Sequence, residues 1–230
     1  MAESARRDAF FAGVRSVLPI TLGVIPFGVI AGVAAIEAGL ATGQAIALSP
    51  MVFAGAAQLA TVDLMARDAA PVIIVLTALV INARFAMYSA SLAPWLRGIG
   101  PASKALAAYL LTDQAFAVSI VHFDRTRDSL AVRTAYYFGA AATLWVVWQV
   151  TSVIGVLIGS GVPPEWSLDF AIPLVFMALL FPAIRDPGTR LAAATAGIAA
   201  VALVGLPLNL GLLAASALGI AAGTIVEATT

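Results

Sequence analysis

Two apolar stretches, each with one charged residue near its middle, limit what this chain can fold into. Val80–Ser91 contains Arg84, and Tyr109–Ala117 contains Asp113. A charge at the centre of a bilayer costs from about 3 to more than 10 kcal/mol, so such residues usually face the protein interior and have a partner. Because the two charges have opposite sign, we expect them to meet near the middle of the membrane and to define the functional site.

The composition indicates a membrane protein. Of the 230 residues, 62% are hydrophobic and only 10% are charged, whereas a soluble domain has about 45–50% apolar and about 25% charged residues. Several apolar runs reach about 20 residues, the length that crosses a bilayer as a helix. We therefore predict an all-α, polytopic helical membrane protein with about 7–8 transmembrane helices, folded as a single transmembrane domain over residues 1–230.

The same composition argues against several other classes of function. The net charge is zero, so nothing points to nucleic acid, and there are no cysteines for disulfides or thiolate chemistry. A single histidine, His122, cannot build a metal site alone, and no phosphate-binding loop is present. No Gly-x-Ser-x-Gly motif accompanies His122, which argues against an intramembrane serine protease. We predict no enzyme activity, no cofactor and no metal.

Proline and glycine punctuate the predicted spans. In the first span, Pro19 and Pro26 interrupt the helical pattern, because proline removes a helix hydrogen bond. They indicate either a broken helix that exposes backbone to a substrate or a packing kink. The kink is favoured, because Gly28-x-x-x-Gly32 fits a close helix contact. Near the C-terminus, small residues recur every four positions from Gly211 to Gly223, which predicts tight packing against a neighbour in this chain or in a second subunit. The first six predicted spans lie at about 17–38, 45–66, 71–92, 106–123, 134–158 and 168–184.

Basic residues orient these spans. Residues 1–16 carry three arginines, and a cytoplasmic N-terminal segment is favoured over a twin-arginine export signal, because no small-residue cleavage site follows a short apolar core. With the N-terminus inside, the outer segments hold only Arg97 and Lys104. This bias predicts an even number of spans with both ends cytoplasmic. The inner segments hold nine basic residues: Arg6, Arg7, Arg15, Arg67, Arg125, Arg127, Arg133, Arg185 and Arg190.

Polar residues within the spans extend the candidate site. The third span has one polar face, which contains Arg84, and Asn82 projects from the opposite side of that helix. Gln58 is polar and deep, and either contacts substrate or holds helices together through hydrogen bonds. Asp63 and Arg67 have the spacing of an interfacial i,i+4 pair and receive no role. At 100° per residue, one face of the third span carries Thr77, Arg84, Tyr88 and Ser91, and one face of the fourth carries Tyr109, Thr112, Asp113 and Phe116.

These motifs resemble the AzlC family of branched-chain amino acid permeases over nearly the whole chain. The resemblance implies a secondary transporter of the bacterial inner membrane that exports leucine, isoleucine, valine or close analogues, together with a small AzlD-type membrane subunit. The family pattern admits Asp where this chain has Asn82, a residue that does not ionise. The motifs are Phe53-Ala54-Gly55-Ala56-Ala57-Gln58, Asn82-x-Arg84-x-x-x-Tyr88-x-x-Ser91-Leu92 and Leu111-Thr112-Asp113-x-x-Phe116-Ala117.

Two roles of the charged pair remain open at this stage. In one, Asp113 carries a proton, and its loss or gain makes or releases the pair with Arg84. In the other, Arg84 binds a substrate carboxylate, which its guanidinium fork matches geometrically, and Asp113 accepts the ammonium group. Phe27, Trp145 and Phe116 are candidates to receive an aliphatic side chain. The alternatives are a channel for another small solute, a structural or sensory membrane subunit without transport, and an ion pair that only fixes the fold.

Overall fold

The computed structural model describes residues 2–161, 184, 186–206 and 210–229, and every regular element in those ranges is helical. The predicted all-α class is therefore confirmed for that part of the chain. The helices are α1 (Ala2–Glu37), α2 (Thr42–Val52), α3 (Gly55–Ala66), α4 (Pro71–Asn82), α5 (Arg84–Leu92), α6 (Pro101–Tyr109), α7 (Asp113–Arg125), α8 (Leu130–Gly159), α9 (Pro187–Ala202) and α10 (Leu210–Thr229).

Four helical segments within the described ranges are long and apolar enough to cross a membrane: Glu3–Glu37, Pro71–Leu92, Leu130–Gly159 and Leu210–Glu227. The chain is a helical membrane protein, but the predicted count of seven or eight spans is not confirmed. The second of these segments joins α4 and α5 across Ala83, which keeps helical backbone angles. The predicted sixth span lies almost wholly outside the described residues.

Helices α1 and α8 pack closely and run in the same direction. A Cβ atom on Gly32 would lie 2.6 Å from the backbone nitrogen of Val156, so only glycine allows this approach. The predicted close contact of Gly28-x-x-x-Gly32 is thus confirmed, with α8 as its partner. Residue numbers rise together along both helices, as parallel packing requires, in the contacts of Phe10 with Gly139, Val29 with Gly155 and Val33 with Gly159.

Of the two interpretations of the prolines in the first span, the broken helix is wrong. Helix α1 continues from Ala2 to Glu37 through both Pro19 and Pro26. Each proline lacks the amide hydrogen that would bond four residues back, which removes single hydrogen bonds but does not end the helix. Tight packing against α8 on both sides of the prolines holds the helix as one element.

Helices α2 and α3 form a hairpin that enters and leaves on the same side. Helix α2 starts shortly after α1 ends, and Phe53 at its tip shares a cavity with Phe27 in the middle of α1. Helix α3 then returns, because Arg67 at its end shares another cavity with Glu37 at the end of α1. A second span over 45–66 would place Arg67 near the start of α1, so that prediction is wrong.

Helices α6 and α7 form a second hairpin from the opposite side. Helix α6 begins just beyond the end of α5 and rises to Tyr109, and α7 descends alongside α5. The predicted fourth span at 106–123 is therefore wrong as a complete crossing. Three contacts show that α5 and α7 run in the same direction: Arg84 with Asp113, Tyr88 with Phe116, and Trp95 with Phe123.

The two hairpins change the side on which basic residues lie. Arg67 belongs to the side where α1 ends, whereas Arg97 and Lys104 belong to the side where α1 begins. Within residues 2–161, the side where α1 begins carries every lysine and arginine except Arg67 and Arg84. The charge asymmetry of this part of the chain is thus sharper than the sequence prediction.

Helices α9 and α10 pack antiparallel along the predicted seam of small residues. A Cβ atom on Gly219 would lie 2.7 Å from the Cβ of Ala196, and one on Gly223 would lie 3.0 Å from the Cβ of Ala192. The seam residue Ala215 is also buried. Of the two partners that the sequence left open, the structure shows the neighbour within this chain.

Candidate functional site

A cavity of about 560 Å³ lies where the tips of the two hairpins approach each other between α1 and α8. This volume is within the range of about 300–1,000 Å³ that is typical of small-molecule sites. We call it the central cavity. Its walls include the aromatic rings of Phe27, Phe53 and Trp148 and the polar side chains of Arg84, Thr112 and Asp113.

The tip of the α2–α3 hairpin is a tight backbone reversal. Phe53 has φ of 31°, a left-handed conformation that is uncommon for a bulky residue, and Ala54 is extended before α3 begins. Gly55 follows, where a Cβ atom would lie 2.6 Å from the Phe27 ring and 2.7 Å from the Trp148 ring. Glycine therefore allows the start of α3 to approach the aromatic wall of the central cavity.

The tip of the α6–α7 hairpin carries its own cap. The Thr112 side chain accepts a hydrogen bond of 3.2 Å from the backbone N–H of Ala115, which satisfies one of the free donors at the start of α7. Asp113 is the first residue of α7, where the positive end of the helix dipole favours a carboxylate. Local sequence thus fixes both the break and the position of the charge.

Tyr109 ties the two tips together, which the sequence did not predict. Its hydroxyl donates a hydrogen bond of 2.9 Å to the carbonyl of Pro50 and accepts one of 3.0 Å from the indole N–H of Trp145. Its ring lies 5.8 Å from that of Phe53. The tips of α2 and α6 therefore meet through one side chain. Trp145 serves this contact and does not line the central cavity, contrary to its candidate role.

Arg84 and Asp113 meet as predicted. Arg84 Nη1 lies 3.0 Å from Asp113 Oδ2, and the side chains are 35% and 36% exposed. Both face the central cavity. Arg84 Nε is buried and has no hydrogen-bond partner in the structure. The pair is accessible to a ligand from the cavity, and the arginine keeps a free donor.

Two more candidate residues stand beside this pair. The rings of Tyr88 and Phe116 stack with centroids 4.4 Å apart, and Tyr88 interacts electrostatically with both charges of the pair. Neither residue is among those that line the central cavity. They join α5 to α7 next to the ion pair, and Phe116 lies behind the cavity wall rather than within it.

The remaining candidates fall outside the central cavity. Gln58 is 1% exposed, and neither atom of its amide has a hydrogen-bond partner in the structure. Asn82 ends α4, and its Oδ1 is likewise buried without a partner. Ser91 lies two turns beyond Arg84 along α5 and is exposed. Thr112 therefore lines the central cavity together with the ion pair, whereas these three residues do not.

The central cavity offers one cation, one anion and an apolar wall. A zwitterion with an aliphatic side chain has the complementary set of groups. An arginine can bind a carboxylate through two parallel hydrogen bonds, and an aspartate can accept from an ammonium group. Among the described residues, no group of histidine, cysteine or acidic side chains is arranged to hold a metal ion. The lining of the central cavity is thus suited to bind a zwitterionic ligand.

Comparison with known proteins agrees with this arrangement. Residues 19–162 match the family described as AzlC protein. This chain is a member of the AzlC family. The matched part contains both hairpins, the whole of α8 and every residue that lines the central cavity. The family assignment therefore covers the candidate site, and the resemblance to AzlC proteins noted from the motifs is confirmed.

Two relatives are similar over most of their length. The inner membrane protein YgaZ of Escherichia coli strain K12 is 28% identical over 206 residues, which is 86% of this chain and 83% of that protein. An uncharacterized membrane protein of Archaeoglobus fulgidus is 30% identical over 226 residues, covering 95% and 96% of the two chains. No solved structure matches the chain. Like these relatives, the AzlC chain is a membrane protein, and its family is associated with transport.

Proposed function

We propose that this AzlC protein is the large subunit of a secondary transporter that exports branched-chain amino acids. The observation that carries the proposal is the central cavity, in which the Arg84–Asp113 pair stands opposite the Phe27 and Trp148 rings. The charges suit the carboxylate and ammonium groups of an amino acid, and the rings suit an aliphatic side chain. Broken helices whose ends line a cavity are a common way to build a transporter site.

Export needs an energy source and a direction. We propose that protons supply the energy and that Asp113 carries them. Arg84 binds the substrate carboxylate and ionised Asp113 accepts from the substrate ammonium group, which protonated Asp113 cannot do. A proton and a substrate therefore compete for Asp113 and exchange for each other at one site. The proposal places the protein in a bacterial inner membrane with the start of α1 in the cytoplasm. The basic side of residues 2–161 supports this orientation.

The proposal includes a second chain, a small AzlD-type membrane subunit, which the family resemblance implies. Efflux assays should therefore be run with and without that subunit. If the subunit is required, efflux will be observed when both chains are present and not when this chain is present alone.

The deciding experiment is amino acid efflux from cells loaded through dipeptides. Leucine, isoleucine, valine, methionine and several unrelated amino acids are measured outside the cell, with and without the two chains. We expect faster efflux of the branched set, which Arg84→Ala abolishes at equal abundance in the membrane. Unchanged efflux of every amino acid, even with the partner present, would contradict the proposal and favour a channel or another solute.

The proton role has its own test. Asp113→Asn keeps the shape of the side chain but cannot ionise. We expect wild-type efflux to vary with the pH gradient and the residual efflux of Asp113→Asn to be independent of it. If Asp113→Asn transports with an unchanged pH profile, the proton does not travel on Asp113.

A further inference from the structure

A second cavity of about 580 Å³ lies at the end of α1, between α3, α4 and α10. We call it the distal cavity. It has no part in the site described above, and its wall combines alanine and other apolar residues with a small set of polar ones. The polar and branched residues that matter here are Glu37, Asp63, Arg67, Thr77, Ile81 and Ser216.

The distal cavity and the central cavity are separated by about one helical turn. On α3, Ala56 lines the central cavity and Ala60 lines the distal one. On the segment from α4 to α5, Ile81 lines the distal cavity and Arg84 the central one. At 1.5 Å per residue these steps are about 4.5–6 Å. The two cavities are thus stacked end to end across a thin barrier.

The same helical faces serve both cavities. Residues four apart lie on one face of a helix, so Ala56 and Ala60 present a continuous, narrow alanine surface. Thr77 and Arg84, seven residues apart, also share a face, with one in each cavity. A solute that left the central cavity along these faces would enter the distal cavity without crossing another helix.

One buried polar group in the wall of the distal cavity has no hydrogen-bond partner. Thr77 is 3% exposed, and its hydroxyl has no hydrogen-bond partner in the structure. A buried hydroxyl without a partner costs free energy, so its place in a cavity wall points to a ligand or water there. Nearby, Arg67 Nη2 lies 3.0 Å from Asp63 Oδ1, with side chains 63% and 33% exposed.

We propose that the distal cavity is a second binding compartment on the same pathway, which takes the zwitterionic head group of an aliphatic amino acid. The inference rests on the proposed function. Arg67 binds the carboxylate and Asp63 accepts from the ammonium group, so the substrate replaces the internal ion pair. The Thr77 hydroxyl donates to the carboxylate, and Ala60 and Ile81 contact the side chain.

Because the chain has no cysteine, single cysteines can test the compartment directly. Thr77→Cys and Ser216→Cys are made separately and purified into nanodiscs, which leave both membrane faces open. A charged methanethiosulfonate reagent should modify both cysteines, and saturating leucine should slow the reaction at least fivefold. Leu79→Cys on the exposed apolar face of the same helix is the control, since lipid there excludes a charged reagent.

The charged pair is tested by its effect on this protection. In the Thr77→Cys background, Asp63→Asn or Arg67→Gln should raise the leucine concentration that gives half-maximal protection about five- to tenfold. Asp68→Asn is the matched control, because Asp68 is a neighbouring exposed acid that does not line the cavity. Ser216→Cys repeats the measurement if Thr77→Cys folds poorly.

The outcomes separate this inference from the proposed function. If wild-type protein exports leucine but leucine protects neither cysteine, the distal compartment is refuted and the transporter proposal stands. Protection that survives both charge substitutions refutes the role of Asp63 and Arg67. If the wild-type chains move no amino acid, the proposed function fails first, and the second compartment fails with it.

Discussion

The strength of the Arg84–Asp113 pair can be measured by a double-mutant cycle. Arg84→Met keeps most of the side-chain length, and Asp113→Asn keeps the shape of the carboxylate. At the observed separation of 3.0 Å, the Coulomb attraction is about 5.5 kcal/mol at an effective dielectric constant of about 20. Each single substitution leaves one charge unpaired within the membrane, whereas the double substitution leaves none.

The exposure of the pair sets the expected net value. Fully exposed pairs contribute about 0–1 kcal/mol, and breaking a fully buried pair costs about 3–5 kcal/mol. With 35% and 36% of the side chains exposed, the pair lies between these limits. We expect a coupling free energy of about 1–3 kcal/mol, so the double variant should be more stable than the sum of the single effects predicts.

The assay is the free energy of unfolding in mixed detergent micelles, measured for wild type, both single variants and the double variant. The matched control is the cycle of Arg67→Met and Asp63→Asn, a pair with the same 3.0 Å distance but 63% exposure of the arginine. That pair should couple by only about 0.3–0.5 kcal/mol. Coupling below about 0.5 kcal/mol at Arg84 and Asp113 would refute the pairing argument. Full transport by the double variant would show that the pair is only structural.

Three further predictions concern the elements that position the site. Gly32→Ala should lower the free energy of unfolding by about 2 kcal/mol, because the added Cβ would meet the α8 backbone. Gly23→Ala is the control and should leave the free energy of unfolding unchanged, because a Cβ there has nothing within 4 Å. Thermal unfolding of the two variants and the wild type makes the comparison. Tyr109→Phe should cost about 1–2 kcal/mol in the same assay, because it removes the hydrogen bond of the Tyr109 hydroxyl to Pro50 at the other tip and the one it accepts from Trp145 on α8. The backbone N–H of Thr189 lowers the pKa of Asp186 below 3.8, so the cap of α9 should weaken as pH falls through that lowered pKa. In wild type, hydrogen-exchange protection at the start of α9 should fall at acid pH, and Asp186→Asn should remove this fall. The same pH dependence of protection in wild type and Asp186→Asn would contradict the prediction.

The sequence predicts the features that depend on local composition. The apolar runs identify the long helices, the small-residue spacings identify two packing seams, and the opposite charges predict their own pairing. Each of these follows from the cost of a polar group or the size of a side chain within a bilayer. They are confirmed at Gly32, at Gly219 and at the Arg84–Asp113 pair.

The hairpins could not be predicted in this way, because hydropathy gives the length of an apolar segment but not whether the chain reverses within it. Helices α2 and α3 together contain as many apolar residues as one crossing helix, and their reversal depends on the left-handed backbone at Phe53, a residue without turn preference. The second tip did have a signal. Thr112 followed by Asp113 within an apolar run is a helix N-terminus, and it indicates a break that the assignment of a continuous span overlooked.

The two hairpins give the fold an inverted order that its sequence does not display. Helix α1 is followed by a hairpin from the side where α1 ends, and the antiparallel segment α4–α5 is followed by a hairpin from the other side. In transporters that are built from inverted repeats, the substrate site lies between the broken helices of the two halves. Here one tip contributes Gly55 and an aromatic wall, and the other contributes Asp113, so neither half forms the site alone. The two hairpins enter from opposite sides of the membrane, and their tips meet at the ion pair. Under the proposed function, movement of either hairpin would open the central cavity to the side from which that hairpin enters. The barrier of about one turn between the central and distal cavities lies beside the α2–α3 hairpin, which is where such an opening would be needed on the side where α1 ends.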